Sequence, residues 1–200
     1  MLNRGSVFHR ALTLLLGLCL TAGAVAAAGD ARLKAGVFEP ARLAPEFALK
    51  GSDGTELKLG RYRGKVVLLS FGFTHCAAVC PTTLATLAQA RKALGKAGEA
   101  VQVVFVTVDP ERDNAQGMKA YLAAFDPSFV GGTGKPETLA AVRKNYGVVA
   151  TKVPMSSGYA VDHTSSIFLI DREGKLRAMM PYGHGAKDFV HDLQLLLAGQ

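Results

Sequence analysis

The chain has 200 residues, of which 49% are hydrophobic and 20% charged, and its formal net charge is +7. This length predicts a single domain, and the apolar fraction is high enough for a packed core. The basic residues are spread along the chain without runs or interleaved aromatics. That distribution argues against nucleic-acid binding and favours a solvated surface, with attraction to an acidic partner or a membrane surface left open.

The N-terminus has the pattern of a secretory signal. Arg4 and Arg10 come first, and the stretch 11–29 that follows is uncharged and ends in small residues. This stretch is also just long enough to span a bilayer, so an uncleaved membrane anchor is the alternative. We therefore predict a signal peptide or anchor at 1–28 and one exported domain at 29–200.

A β-hairpin is predicted near the start of the domain. Two short extended segments, 46–49 and 56–59, flank a turn rich in Gly, Ser and Asp. The nearly continuous apolar run at 65–73 then predicts a central strand that is buried on both faces. The C-terminal end of this strand leads directly to His75 and Cys76.

The rest of the domain alternates helices and strands. Helices are predicted at 82–97, 114–124, 136–146 and 187–198, and strands at 101–109, 165–171 and 175–182. The last two strands are joined by a short turn that contains glycine, which predicts an antiparallel hairpin. This order of elements indicates an α/β fold, with a sheet covered by helices on both sides.

Of the two cysteines Cys76 and Cys80, the second is predicted near the start of the helix whose first turn contains Pro81, and the first in the loop before it. The positive end of a helix stabilises thiolates, which are both the nucleophilic and the metal-binding form of cysteine. A structural disulfide across so short a loop would restrict the unfolded chain little. Two roles stay open: thiol-disulfide exchange, and binding of a soft cation such as copper(I) or zinc.

A third metal ligand would have to come from elsewhere in the chain. His163 directly precedes a predicted strand, where a loop at the edge of the sheet could face the thiols. A cap on that strand or a surface pair with Asp162 is equally compatible with the sequence. His75 adjoins the first cysteine, but its side chain is expected to point out of the loop or to cap the end of the strand.

Asp109 ends the second buried strand, at the same edge of the sheet as the cysteines. A carboxylate there could assist proton transfer during thiol exchange or accept hydrogen bonds from the backbone of the site. It could equally cap the loop 110–113 that follows it. The sequence does not decide between these roles.

Three motifs in order make the chain resemble the SCO/SenC family of copper-binding proteins, from about Glu39 to the C-terminus. They are GKVVLLSFGFTHCAAVCPTTL, TVDPERD and VDHTSSIFLIDREGKL. The resemblance implies a thioredoxin-like fold, with a central mixed sheet flanked by helices and an N-terminal β-hairpin. It also implies that Cys76, Cys80 and His163 bind one copper ion, as Cu(I), Cu(II) or both. A hairpin loop carrying His163 would close over the cysteine loop.

The implied role is assembly of the dinuclear copper centre in subunit II of cytochrome c oxidase. The resemblance thus implies a periplasmic copper chaperone, anchored to the inner membrane if the leader stays attached. Its implied partners are the copper domain of subunit II, another periplasmic copper chaperone and a thiol reductant. Ala77 stands where the family usually has proline, a change that can shift the thiol redox potential but leaves the ligands intact.

The alternative function is that of a thiol-disulfide oxidoreductase without metal transfer. Cys76 or Cys80 would attack a partner disulfide as the catalytic thiol, and the other cysteine would resolve the mixed disulfide. A peroxiredoxin is a weaker third interpretation, because the Pro-x-x-x-Thr-x-x-Cys arrangement is absent ahead of Cys76.

Overall fold

The computed structural model describes residues 1–2 and 32–200. The predicted signal peptide or anchor at 1–28 lies outside the described residues, apart from its first two. Across the described ranges, no helix combines the length and the apolar content needed to cross a membrane.

The described part of the domain contains ten strands and four α-helices. The strands are β1 (Gly36–Leu43), β2 (Ala48–Gly51), β3 (Glu56–Lys58), β4 (Val66–Gly72), β5 (Val101–Thr107), β6 (Val130–Thr133), β7 (Ala150–Pro154), β8 (Tyr159–His163), β9 (Ile167–Ile170) and β10 (Lys175–Met180). The helices are α1 (Val79–Ala93), α2 (Ala115–Ala123), α3 (Pro136–Tyr146) and α4 (Ala186–Leu197), and short 3-10 segments cover Leu59–Tyr62 and Gly95–Ala100.

Eight of these strands form one mixed sheet in the order β1-β10-β9-β4-β5-β6-β2-β3. Strands β4, β5 and β6 are parallel to one another, and the strands on either side of them pair antiparallel. The central strands β4 and β5 are buried along their whole length, as their continuous apolar sequences require. The predicted mixed α/β sheet flanked by helices is confirmed, and the β2–β3 hairpin forms one edge of this sheet.

The helix ends follow local signals in the sequence. Helix α3 has its predicted bounds, because Pro136 opens its first turn and Gly147 ends it with a φ of 68°. Asn114 caps α2 by accepting a hydrogen bond from the Gly117 N–H at 2.9 Å. Helix α1 ends before the predicted position 97, because Gly95 takes a φ of 57° and the chain continues as a 3-10 segment.

Strands β7 and β8 form a separate two-stranded antiparallel sheet, which was not predicted from the sequence. Ala150 pairs with His163 and Pro154 with Tyr159 at its two ends. His163 is therefore the last residue of a strand, and the prediction that it lies in a loop is wrong. Strands β1 and β6 were also not predicted.

Candidate metal centre

Both cysteines lie at the C-terminal end of β4, where the chain passes into α1. Cys76 is in the connecting loop, and Cys80 is the second residue of the helix. Both thiols are free; Cys80 is 3% exposed and Cys76 is half-buried. The backbone N–H of Cys80 donates to the Cys76 sulfur at 3.4 Å, so the helix start holds the two residues together.

His163 reaches the same place from the β7–β8 hairpin. Its Nε2 lies 3.8 Å from the Cys80 Sγ, and its ring packs edge-on against Phe73 with the ring centres 5.9 Å apart. Its Nδ1 lies 2.9 Å from the carbonyl oxygen of Thr164. Because a carbonyl oxygen only accepts, the hydrogen of the neutral imidazole lies on Nδ1, and in that form Nε2 presents its lone pair to the sulfur.

The distance between His163 Nε2 and Cys80 Sγ suits two ligands of one ion. At the usual metal–sulfur and metal–nitrogen lengths of about 2.3 and about 2.0 Å, ligands about 120° apart are separated by about 3.7 Å. Among residues 1–2 and 32–200, however, no three His, Cys, Asp or Glu side chains are clustered tightly enough to form a metal site as they stand. The side chains of Cys76, Cys80 and His163 are therefore farther apart than the ligands of a bound ion, and metal binding would have to bring them together.

The two thiols differ in acidity. Burial alone would raise the pKa of Cys76, but hydrogen bonds from the backbone N–H groups of Cys80, Ala78 and Val79 lower it below its usual value. Burial raises the pKa of Cys80 to about 12, and the neighbouring Cys76 adds to the rise. Cys76 is thus the readier thiolate, whereas Cys80 keeps its proton until a cation or an electrophile replaces it.

Asp113 supports the cysteine loop, a role that the sequence analysis missed. This buried carboxylate accepts hydrogen bonds from the Thr74 N–H at 3.1 Å, the Thr74 hydroxyl at 2.6 Å and the Thr107 hydroxyl at 2.7 Å. The sequence signal was the second Asp of TVDPERD, but nothing in its spacing indicated the contact with Thr74. The side chain of His75, next in the loop, is 54% exposed, and its Nδ1 lies 3.1 Å from the Thr74 hydroxyl oxygen.

Asp109 is fully buried, and its carboxylate binds side chains. It accepts a hydrogen bond from the Arg112 Nε and another from the Tyr159 hydroxyl at 2.8 Å. These contacts differ from the cap on the loop 110–113 that was considered from the sequence, because both donors are side chains and neither is a backbone N–H of that loop. They link the loop, through Arg112, to the hairpin that carries His163.

Comparison with known proteins places the chain in one family. The SCO1/SenC family model matches residues 36–198. The mitochondrial SCO2 homolog of Mus musculus is 34% identical over 157 residues, which are 76% of this chain. The chain spans 62% of the length of that mouse protein.

Solved structures show the same architecture. The copper-bound ScoI of Bradyrhizobium japonicum is 36% identical, with a TM-score of 0.72 over 78% of this chain and 100% of that chain. The apo Sco1 of Thermus thermophilus is 39% identical, with a TM-score of 0.74 over 83% of this chain and 98% of that chain. The predicted thioredoxin-like fold is confirmed by these neighbours. The chain belongs to the SCO1/SenC family.

Proposed function

We propose that the protein is a periplasmic copper chaperone that binds one copper ion through Cys76, Cys80 and His163. The observation that carries this proposal is the 3.8 Å approach of the His163 Nε2 to the Cys80 Sγ, two residues 83 positions apart in the chain. Two thiolates and an imidazole form a ligand set that suits copper. The copper-bound relative from Bradyrhizobium japonicum supports the choice of metal.

The proposed recipient of the metal is the copper domain of cytochrome c oxidase subunit II. Family membership supports this partner. We further propose another periplasmic copper chaperone as the copper donor and a thiol reductant that keeps both cysteines reduced. The segment 1–28 would direct export, and it would either be cleaved or tether the domain 29–200 to the inner membrane.

Each ligand has a distinct task when copper arrives. Cys76, with its lowered pKa, offers a thiolate on the accessible side of the site. Cys80 gives up its proton as the cation takes its place, so binding releases protons and weakens as the pH falls. The His163 ring is oriented by the contact of its Nδ1 with the Thr164 carbonyl oxygen, which leaves Nε2 on the side of the Cys80 sulfur as the coordinating nitrogen.

Copper titration of the reduced protein tests this proposal. We expect one tightly held ion per chain, with an affinity that falls at least about tenfold on His163→Ala, because a ligand is lost. Affinity is measured by competition with a Cu(I) chelator. The matched control is His184→Ala, since His184 pairs with Asp188 beside α4 and is expected to leave copper binding unchanged. An unchanged affinity in His163→Ala would remove His163 from the ligand set.

The second candidate function is thiol-disulfide exchange, and the unequal acidity of the two thiols favours it. The Cys76 thiolate would attack a partner disulfide and release one partner thiolate. Cys80 would then lose its proton and attack the Cys76 sulfur, which forms the Cys76–Cys80 disulfide and releases the second partner thiolate. Reduction of an oxidised copper-domain client should survive His163→Ala, whereas copper transfer to the apo client should not.

A further inference from the structure

The β7–β8 hairpin carries His163 but lies outside the main sheet. Strand β7 is largely exposed, and Val161 is the one buried residue of β8. The orientation of the hairpin relative to the thiols therefore depends on side-chain contacts with the domain and not on strand pairing with it.

Arg112 makes such contacts from the loop after β5. Its Nη1 donates to the carbonyl oxygen of Tyr159 at 3.0 Å, and its guanidinium carbon lies 3.9 Å from the centre of the Tyr159 ring. That distance is well within the range of a cation–π contact. Asp109 holds the Arg112 Nε and also accepts from the Tyr159 hydroxyl at 2.8 Å. Together Arg112 and Asp109 hold both the backbone and the ring of Tyr159.

A second cation contacts the same ring but contributes less. The Lys152 Nζ lies 4.5 Å from the centre of the Tyr159 ring and pairs with Glu111. The side chains of this pair are 46% and 61% exposed, whereas those of Arg112 and Asp109 are 26% and 0% exposed. Exposed ion pairs contribute little to stability. We therefore attribute the attachment of the β7–β8 hairpin to the domain mainly to Arg112.

Tyr159 and His163 are the first and last residues of β8, about 13 Å apart along the strand. Side chains alternate along a strand, so both lie on the same face as the buried Val161. Strand β7 pairs with β8 along its whole length, which makes the hairpin one unit. Fixing Tyr159 therefore restrains where the backbone of β8 places His163 relative to the domain.

Phe73 contacts both Arg112 and His163. The guanidinium carbon of Arg112 lies 5.7 Å from the centre of the Phe73 ring, and the His163 ring packs edge-on against it. Phe73 directly follows β4 and leads into the cysteine loop. Arg112 and His163 are thus both placed against a residue that moves with the thiols.

From these contacts we propose that Arg112 is a positioning residue, which holds the β7–β8 hairpin so that the His163 Nε2 faces the Cys80 sulfur. Arg112 does not touch the metal and acts through Tyr159 and Phe73. The inference rests on the proposed function, because it concerns the placement of His163 as a ligand.

A double-mutant cycle on the full-length reduced protein tests the proposal. Arg112→Met should weaken Cu(I) binding about tenfold when His163 is present, and less than about twofold in the His163→Ala background, because Arg112 acts only through His163. The matched control is Arg61→Met. Arg61 likewise pairs with an aspartate, Asp53 at 2.7 Å, and lies 5.1 Å over the Tyr62 ring, but it follows β3. It should leave Cu(I) binding unchanged in both backgrounds.

Two further readouts separate positioning from a general loss of stability. In Arg112→Met, the Cu(II) complex should keep its thiolate-to-copper absorption while the nitrogen hyperfine coupling of His163 weakens. In the metal-free protein, amide hydrogen exchange of 159–163 should become faster, while exchange in β4 and β5 stays unchanged. Tyr159→Leu removes the ring that Arg112 holds and should reproduce this pattern, which keeps the test decisive if Arg112→Met fails to fold.

The outcomes distinguish this proposal from the function on which it rests. An equal loss of affinity with and without His163 would overturn the positioning role, as would unchanged exchange of 159–163 in both Arg112→Met and Tyr159→Leu. An unchanged affinity in His163→Ala alone would instead overturn the ligand set. Because the exchange experiment contains no metal, the two failures cannot be confused.

Discussion

Gly72, the last residue of β4, leaves no room for a side chain. A Cβ at this position would lie 2.9 Å from the Cys80 Sγ and 2.6 Å from the ring of Phe105. Gly72→Ala is therefore expected to displace the sulfur, the ring or both, and to lower the free energy of unfolding by about 1–3 kcal/mol. Urea unfolding measures the loss, and copper competition should show weaker binding in the same variant.

The matched control is Gly117→Ala, in the first turn of α2. A Cβ there would meet Asn114 at an ordinary contact distance of 3.5 Å. Alanine is the better helix former, so this substitution should raise the free energy of unfolding by up to about 1 kcal/mol and leave copper binding unchanged. Full stability and full copper affinity in Gly72→Ala would show that Cys80 has more freedom than its packing indicates.

At the scale of elements, the loop between β4 and α1 is held by a residue that follows β5. Asp113 is the shared acceptor of the Thr74 and Thr107 hydroxyls and of the Thr74 N–H. Asp113→Ala leaves these donors unpaired, and since Thr107 is fully buried, we expect a loss of about 2–4 kcal/mol in the free energy of unfolding. Copper affinity should fall as well, by about three- to tenfold, because the cysteine loop loses its support.

Asp171→Ala is the control for a buried aspartate outside the site. Asp171 accepts hydrogen bonds from the N–H groups of Glu173 and Lys175 at 3.0 and 2.8 Å, in the turn between β9 and β10. Its removal should also destabilise the domain but should leave copper affinity unchanged. If both variants weaken copper binding equally, the effect of Asp113 is only one of global stability.

Most elements that the sequence predicts have a long apolar stretch or a residue such as proline or glycine that marks an end, whereas the buried strand β6 was missed because its sequence Val-Gly-Gly-Thr has no apolar run. Strands β4 and β5 are apolar throughout because they are buried throughout, and α3 is bounded by Pro136 and Gly147. Strands β1 and β7 are almost wholly exposed, so no apolar alternation marks them. Val161 is the only buried residue of β8, so the strand has no apolar alternation, and the position of His163 in a strand was not predicted.

At the scale of the molecule, the order of strands explains why three distant motifs meet. Strands β4 and β5 are parallel neighbours, so Phe73 and Asp109, which follow them, lie at the same edge of the sheet. Strand β9 is antiparallel to β4 and begins beside its end, where Ile167 pairs with Ser70. His163 precedes Ile167 by four residues and therefore lies close to the two thiols. Strand order cannot be read from apolar periodicity. The residues alone therefore did not decide whether His163 is a metal ligand, and only the family resemblance indicated that it is.

The pH dependence of stability is also a property of the whole folded core. Burial raises the pKa of Tyr146 above its usual value, with a further contribution from Glu46. Above about pH 10 the unfolded chain therefore loses the Tyr146 proton while the folded chain keeps it, and the free energy of unfolding falls as the pH rises, by at most about 1.4 kcal/mol per pH unit for this group.

Tyr146→Phe isolates this contribution. The ring keeps its packing against Phe71 and Phe168, while the hydrogen bond from the hydroxyl to the Pro45 carbonyl at 2.7 Å is lost. The variant should be less stable near neutral pH and should lose stability less steeply above about pH 10. Urea unfolding across this range measures both slopes, and identical slopes would contradict the assignment.

The separation of the β7–β8 hairpin from the main sheet has a consequence for how the site opens. In the described part of the chain these two strands pair only with each other, so a rotation that carries His163 away from Cys80 breaks no backbone hydrogen bond of the eight-stranded sheet. The energy of moving the hairpin is thus set by its side-chain contacts with the domain, such as that of Arg112 with Tyr159, and not by the strand pairing of the main sheet. Under the proposed function, a recipient protein would need to displace only these contacts to reach the metal.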